Sequence, residues 1–181
     1  MSLKLDFPKY DALRLGALIA SKEITPLELL DHVIERIESV PELNCICYPD
    51  YEAARARAKS ALPRSVFSGL PLFLKDLILY HEGTPLSSGS EYLKDFIAPC
   101  HSEVVKKLLD AGMIFTARTM SSEFGSMGTV ESRFRGTTHN PWHPEYSTGG
   151  SSGGAAALVA SRIFPLADAN DGGGSVRGPA A

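Results

Sequence analysis

Two glycine-rich stretches constrain this chain more than any other feature: Gly149-Gly150-Ser151-Ser152-Gly153-Gly154 and Asp171-Gly172-Gly173-Gly174-Ser175. The first runs straight into Ala155 to Ser161, a helix of small apolar residues, and so presents backbone N–H groups at a helix N-terminus. A flexible Gly/Ser linker has the same composition, but a linker does not lead directly into a helix that needs burial. The second stretch follows the apolar run Ile163 to Ala167, read as a strand. Three successive glycines reach backbone conformations closed to other residues, so several N–H groups can converge beside Ser175. Convergent N–H groups are what an oxyanion hole requires. Taken alone, the second stretch is better read as a glycine turn with an incidental serine.

Two other motifs compete for the first stretch. Gly149 to Gly153 fits the nucleophile elbow G-x-S-x-G with Ser151 as nucleophile, which demands an acid and then a histidine downstream. Asp168 and Asp171 supply acids, but the last histidine, His143, precedes Ser151. A phosphate-binding P-loop fails because no Gly-Lys-Ser/Thr follows the glycines.

Before these stretches the chain alternates helices and strands. Asp11 caps a helix over Ala12 to Ser21, and Thr25-Pro26-Leu27-Glu28 is a capping box with proline at the first helical position. Leu27, Leu30, Val33, Ile34 and Ile37 then recur at helical spacing up to Pro41. A strand is predicted over Leu43 to Tyr48, a third helix over Tyr51 to Leu62, and a short apolar strand over Leu70 to Leu74 that delivers Lys75 and Asp76. Ser102 to Asp110 reads as a helix closed by Gly112, and Met113 to Ala117 as a strand. The pattern is α/β, and 181 residues suit one domain.

A net charge of −3 and a pI of about 5.9 argue against nucleic acid as a partner. Cys45, Cys47 and Cys100 are odd in number and point to a reducing compartment. His32, His81, His101, His139 and His143 do not combine with them at zinc-site spacing, so no metal is expected. No apolar run reaches a membrane span, and Met1 to Lys4 do not open a secretory leader. The expected location is the cytoplasm, with no membrane partner.

The two glycine-serine motifs, spaced as they are and preceded by a Lys-Asp pair after an apolar strand, resemble the amidase signature family of serine hydrolases. Gly69-x-Pro71, Ser121-Ser122-Glu123-Phe124 and Asn140-Pro141-Trp142 extend the similarity over Asp11 to Ala181. Asp171-Gly172-Gly173-Gly174-Ser175 and the threonine at Thr148 resemble the branch with 6-aminohexanoate cyclic-dimer hydrolase more than the glutamyl-tRNA amidotransferase A subunit. The resemblance implies an amidase signature fold, a mixed β-sheet covered by helices on both faces. Residues 1–62 would form an N-terminal helical segment of the same domain and 63–181 the first part of its core, incomplete at the C-terminus.

The implied activity is hydrolysis of a carboxamide bond, without cofactor, on a small-molecule amide. Ser175 would be the nucleophile, Ser151 a bridging serine after a cis peptide at Gly150, and Lys75 the base. The N–H groups of Gly172, Gly173, Gly174 and Ser175 would form the oxyanion hole, with Gly150, Ser152, Asp171 and Arg177 as support. A lysine base must be neutral, although free lysine titrates at about 10.4. Burial among Leu70 to Leu74 would depress it, provided that Asp76, its strand neighbour, points to the opposite face. Relatives of this family continue well past the nucleophile, so the chain reads as an N-terminal fragment. Such a fragment is expected to be inactive on its own, which leaves a catalytically incompetent fragment or assembly module, or the A subunit of a glutamine-dependent amidotransferase, open as alternatives; a homo-oligomer is compatible with each.

Overall fold

Side chains at Asp11 and Thr25 set where the first two helices begin. Asp11 accepts from the Arg14 N–H at 2.7 Å and opens α1 (Ala12–Ala20). Thr25 Oγ1 accepts from the Glu28 N–H at 3.1 Å while Glu28 Oε2 accepts from the Thr25 N–H at 2.8 Å, a complete capping box at the start of α2 (Pro26–Glu38). The buried face of α2 is Leu29, Leu30, Val33 and Ile34; Leu27 and Ile37, placed in that stripe by sequence, are only half-buried. This computed structural model describes residues 9–181, so the reading of Met1 to Lys4 lies outside the described residues.

The strand predicted from Leu43 starts later, as β1 (Ile46–Pro49). Pro41–Leu43 form a single 3₁₀ turn, and Asn44 sits at φ 46°, in the left-handed region, which is incompatible with a strand. Then follow α3 (Tyr51–Ala58), β2 (Pro71–Lys75), α4 (Glu103–Asp110), β3 (Ile114–Thr119), the two-residue strands β4 (Glu131–Ser132) and β5 (Gly136–Thr137), α5 (Gly153–Ala160) and α6 (Arg177–Ala180).

The sheet is mixed, in the order β1-β3-β2, with β2 parallel and β1 antiparallel to β3. Every residue of β2 and β3 is buried, as expected for strands covered on both faces. Successive residues point to opposite faces. Ile114 therefore joins Leu30, Ile34, Ala54 and Ala58 of α2 and α3, whereas Phe115 enters the larger core with Leu15, Leu18, Phe73, Leu158 and Phe164. Each of the buried Leu, Ile and Phe side chains contributes about 1.5–3 kcal/mol. Among the described residues no helix is long and apolar enough to cross a membrane.

One predicted strand does not form. Residues 163–167 make no ladder, although Ile163 and Phe164 are buried. Arg162 at φ 55° ends the preceding helix and Pro165 has no N–H to donate. The run is apolar because it packs, with the Phe164 ring 5.9 Å from that of Phe73 on β2, and the residue that follows it, Asp168, donates its N–H to Phe73 O at 2.9 Å.

Gly154 explains why the first glycine stretch precedes a helix. A Cβ there would stand 2.5 Å from Met120 N, 2.6 Å from Met120 O and 2.8 Å from Cys45 O. The N-terminus of α5 thus lies directly against the backbone at the end of β3, with Gly154 N–H donating to Met120 O at 3.2 Å.

Candidate active site

β2 carries Lys75 into the interior, where it has no exposed surface. Its Nζ lies 2.7 Å from Ser151 Oγ, 2.9 Å from Asn170 Oδ1 and 3.3 Å from the Asn170 carbonyl. Asp76 is turned the other way: its carboxylate accepts from Ser87 N–H at 2.9 Å, Ser87 Oγ–H at 2.5 Å and Gly89 N–H at 3.0 Å. No carboxylate forms a salt bridge with Lys75 Nζ among the described residues. Burial lowers the Lys75 pKa to about 8, and the charges of Asp168 and Asp171 oppose that fall without cancelling it.

Ser151 follows a cis Gly150–Ser151 peptide and is buried. Gly150 has no room for a side chain, since a Cβ would stand 2.6 Å from Thr129 N and 2.7 Å from Met127 O. Next along the chain, Ser152 donates its N–H to the Ser175 carbonyl at 3.3 Å and its hydroxyl to the Asn170 carbonyl at 3.4 Å. The two glycine-serine motifs are therefore joined edge to edge beside Lys75.

Asp171 organises the second motif. Its carboxylate accepts from Gly174 N–H at 2.6 Å, Val176 N–H at 3.0 Å and Arg177 N–H at 3.1 Å. Arg177 adds Nε at 3.0 Å and Nη2 at 2.9 Å. The guanidinium first, then the backbone donors, hold Asp171 well below the usual carboxylate range.

These bonds alter the expected oxyanion donor set. Gly174 turns its N–H onto Asp171 and is committed there, which leaves Gly172, Gly173 and Ser175 with N–H groups that have no acceptor among the described residues. The Ser175 hydroxyl has no partner among them either, and it borders an open cavity of about 510 Å³ together with Gly125, Met127, Gly150 and Gly173. Ser175 and Ser151 are not hydrogen-bonded through their side chains in this structure.

Sequence reasoning missed two residues of the site, Asn170 and Arg118. Arg118, on β3, is fully buried and donates to Pro85 O at 2.5 Å, Leu79 O at 2.8 Å, Thr84 Oγ1 at 3.2 Å and Lys75 O at 3.4 Å. It fastens the segment after β2 and so holds the backbone at Lys75. A lone arginine inside Ile-Phe-Thr-Ala-Arg-Thr was the available signal. Asp168, which sequence offered only as the acid of an elbow triad, accepts the Lys75 N–H at 3.4 Å, and burial raises its pKa to about 6.

A buried lysine-serine pair on a mixed α/β sheet, next to a glycine-cradled second serine, places the chain in a recognisable class. The chain belongs to the Amidase family, whose profile matches residues 28–181. A putative amidase AmiC from Mycobacterium tuberculosis is 37% identical over 173 residues, covering 94% of this chain and 36% of that protein. The glutamyl-tRNA(Gln) amidotransferase A subunit from Neisseria meningitidis is 39% identical over 179 residues, 95% of this chain and 37% of the relative. Among solved structures, 6-aminohexanoate cyclic dimer hydrolase complexed with substrate superposes with a TM-score of 0.91 at 35% identity, over 97% of this chain and 36% of that one. The likeness thus runs to both branches that the motifs resemble. The chain spans little more than a third of the length of these relatives.

Proposed function

We propose that the protein hydrolyses a carboxamide bond through an acyl-enzyme on Ser175. The observation that carries this reading is the 2.7 Å approach of Lys75 Nζ to Ser151 Oγ in a buried setting that brings the lysine pKa down to about 8. A serine hydroxyl is a weak nucleophile until a base takes its proton. A neutral Lys75 is such a base: Ser175 Oγ attacks the carbonyl carbon, its proton passes to Ser151, and the Ser151 proton passes to Lys75. The carbonyl π electrons move onto oxygen, where the N–H groups of Gly172, Gly173 and Ser175 receive the charge. Such donors are worth roughly 2.7–4 kcal/mol each. When the tetrahedral intermediate collapses, the C–N bond breaks and the proton returns from Lys75 through Ser151 to the departing amine. Water, deprotonated by the same relay, then cleaves the ester and restores Ser175.

The cavity beside Ser175 is walled largely by glycine backbone, which suits close approach of a small amide. The 39% identity to an amidotransferase A subunit supports a second reading, in which the amide is glutamine and the ammonia passes to a partner complex. The free thiols Cys45, Cys47 and Cys100 favour a reducing compartment, and the cytoplasm is the proposed location.

A fluorophosphonate probe tests the assignment, because it needs only an activated serine beside an oxyanion hole. Mass-spectrometric mapping should place the adduct on Ser175, and Ser175→Ala should abolish it. An adduct on Ser151 would overturn the reading.

A further inference from the structure

Lys75 Nζ meets three acceptors, and two of them belong to one residue. Asn170 offers its side-chain Oδ1 at 2.9 Å and its own carbonyl at 3.3 Å, while Ser151 Oγ takes the third direction at 2.7 Å. The amide is held in that orientation, because Asn170 Nδ2 donates to Leu77 O at 3.3 Å. The Asn170 carbonyl also accepts from Ser152 Oγ at 3.4 Å. One residue therefore ties the end of β2, the loop after it and the loop after the cis peptide.

We infer that Asn170 is a positioning residue that aims Lys75, by occupying both N–H bonds of the neutral amine so that its lone pair faces the Ser151 hydroxyl. The inference rests on the amide hydrolysis proposed above. A neutral amine has two donors and one lone pair, whereas an ammonium has three donors and no acceptor. With two carbonyl-type oxygens on one side, the lone pair of the neutral form has one polar partner left, the Ser151 O–H. After the proton arrives, the third N–H points at the oxygen it came from. Both protonation states are satisfied without moving a side chain, and the anchor adds no negative charge that would favour the ammonium. The other charged groups near Lys75 are Asp168 on its backbone N–H, Asp171, and Arg118 on its carbonyl, while Asp76 faces away.

The test follows the Lys75 titration directly, by NMR of the protein carrying [13Cε]lysine, with the Lys75 signal assigned by its loss in Lys75→Arg. Asn170→Asp keeps the shape but puts a carboxylate against the nitrogen, and should raise the midpoint from about 8 by at least about one pH unit. Asn170→Ala removes an acceptor that favours the charged form and should lower the midpoint. It should also slow fluorophosphonate labelling of Ser175 at pH 9 by about tenfold or more, within what a misplaced group costs. Midpoints that coincide with that of the unaltered protein in both variants, with near-UV circular dichroism unchanged, would overturn the inference. If Asn170→Ala does not fold, Asn170→Asp decides alone, and a midpoint at or below that of the unaltered protein overturns it. A shifted midpoint with labelling that survives Lys75→Met would defeat the amidase mechanism and leave the Asn170 contact standing; an unshifted midpoint with labelling lost in Lys75→Met would do the reverse.

Discussion

Arg177 grips Asp171 with two parallel bonds, Nε to Oδ2 at 3.0 Å and Nη2 to Oδ1 at 2.9 Å, across the loop that carries Ser175. The same carboxylate accepts three backbone N–H groups from residues 174 to 177, so the pair fixes the loop from within. Paired, bidentate contacts of this kind are not reproduced by lysine. Asp171→Asn and Arg177→Lys should each slow fluorophosphonate labelling of Ser175 by at least about tenfold, and Asp171→Asn, by removing a charge that raises the Lys75 pKa, should also bring the lysine NMR midpoint down. Equal labelling rates in the variants would show that the loop is held by other contacts.

Asp168 should govern both stability and the base. Its folded-state pKa is raised by burial to about 6 from an ordinary 3.8, so between those values the folded chain holds a proton that the unfolded chain has released. Stability therefore falls as pH rises through that window, and the full cost of the buried charge is present above it. Asp168→Asn should melt higher than the unaltered protein at pH 7, with the difference vanishing near the unfolded pKa. Removing that negative charge should also bring the Lys75 midpoint below about 8. Thermal melts across pH and the lysine NMR titration check the two halves separately.

Gly154→Ala tests the close approach of α5 to β3. The added methyl would meet backbone atoms at 2.5 and 2.6 Å, and these cannot rotate away as a side-chain end could. Overpacking of this kind costs about 1–3 kcal/mol. Chemical denaturation should show a loss of that size; a variant as stable as its parent would mean that the helix end can shift without penalty.

Local chemistry was legible in the sequence wherever neighbours in the chain supply it. The capping box at Thr25 and Glu28 is made by residues three apart, and β2 and β3 are runs whose apolar content reflects burial on both faces. The strand read over Ile163 to Ala167 has the same content for another reason, packing without a ladder. Only the partner positions of an actual sheet distinguish the two. In the site, the first glycine-serine motif announced itself, because Gly150 and Gly154 are required by backbone contacts that leave a trace in composition; in the second, the requirement is conformational, with Gly174 at φ 122°. Asn170 left none: before Asp-Gly it reads as a turn residue, and its role exists only because folding brings Lys75 to it across the sequence. The commitment of Gly174 N–H to Asp171 was hidden likewise, since three adjacent glycines look equivalent until one acceptor selects among them.

The relay itself is tested most directly by the pH dependence of the fluorophosphonate labelling rate at Ser175, with and without Lys75. A base whose pKa is brought to about 8 by burial is protonated and idle below that pH, so the rate should be low in acid and climb through about 8 to a plateau. Lys75→Met should remove that limb and cost about 100-fold or more at pH 9, within the range of general-base effects. An unchanged limb in Lys75→Met would contradict the account and place the proton acceptor elsewhere.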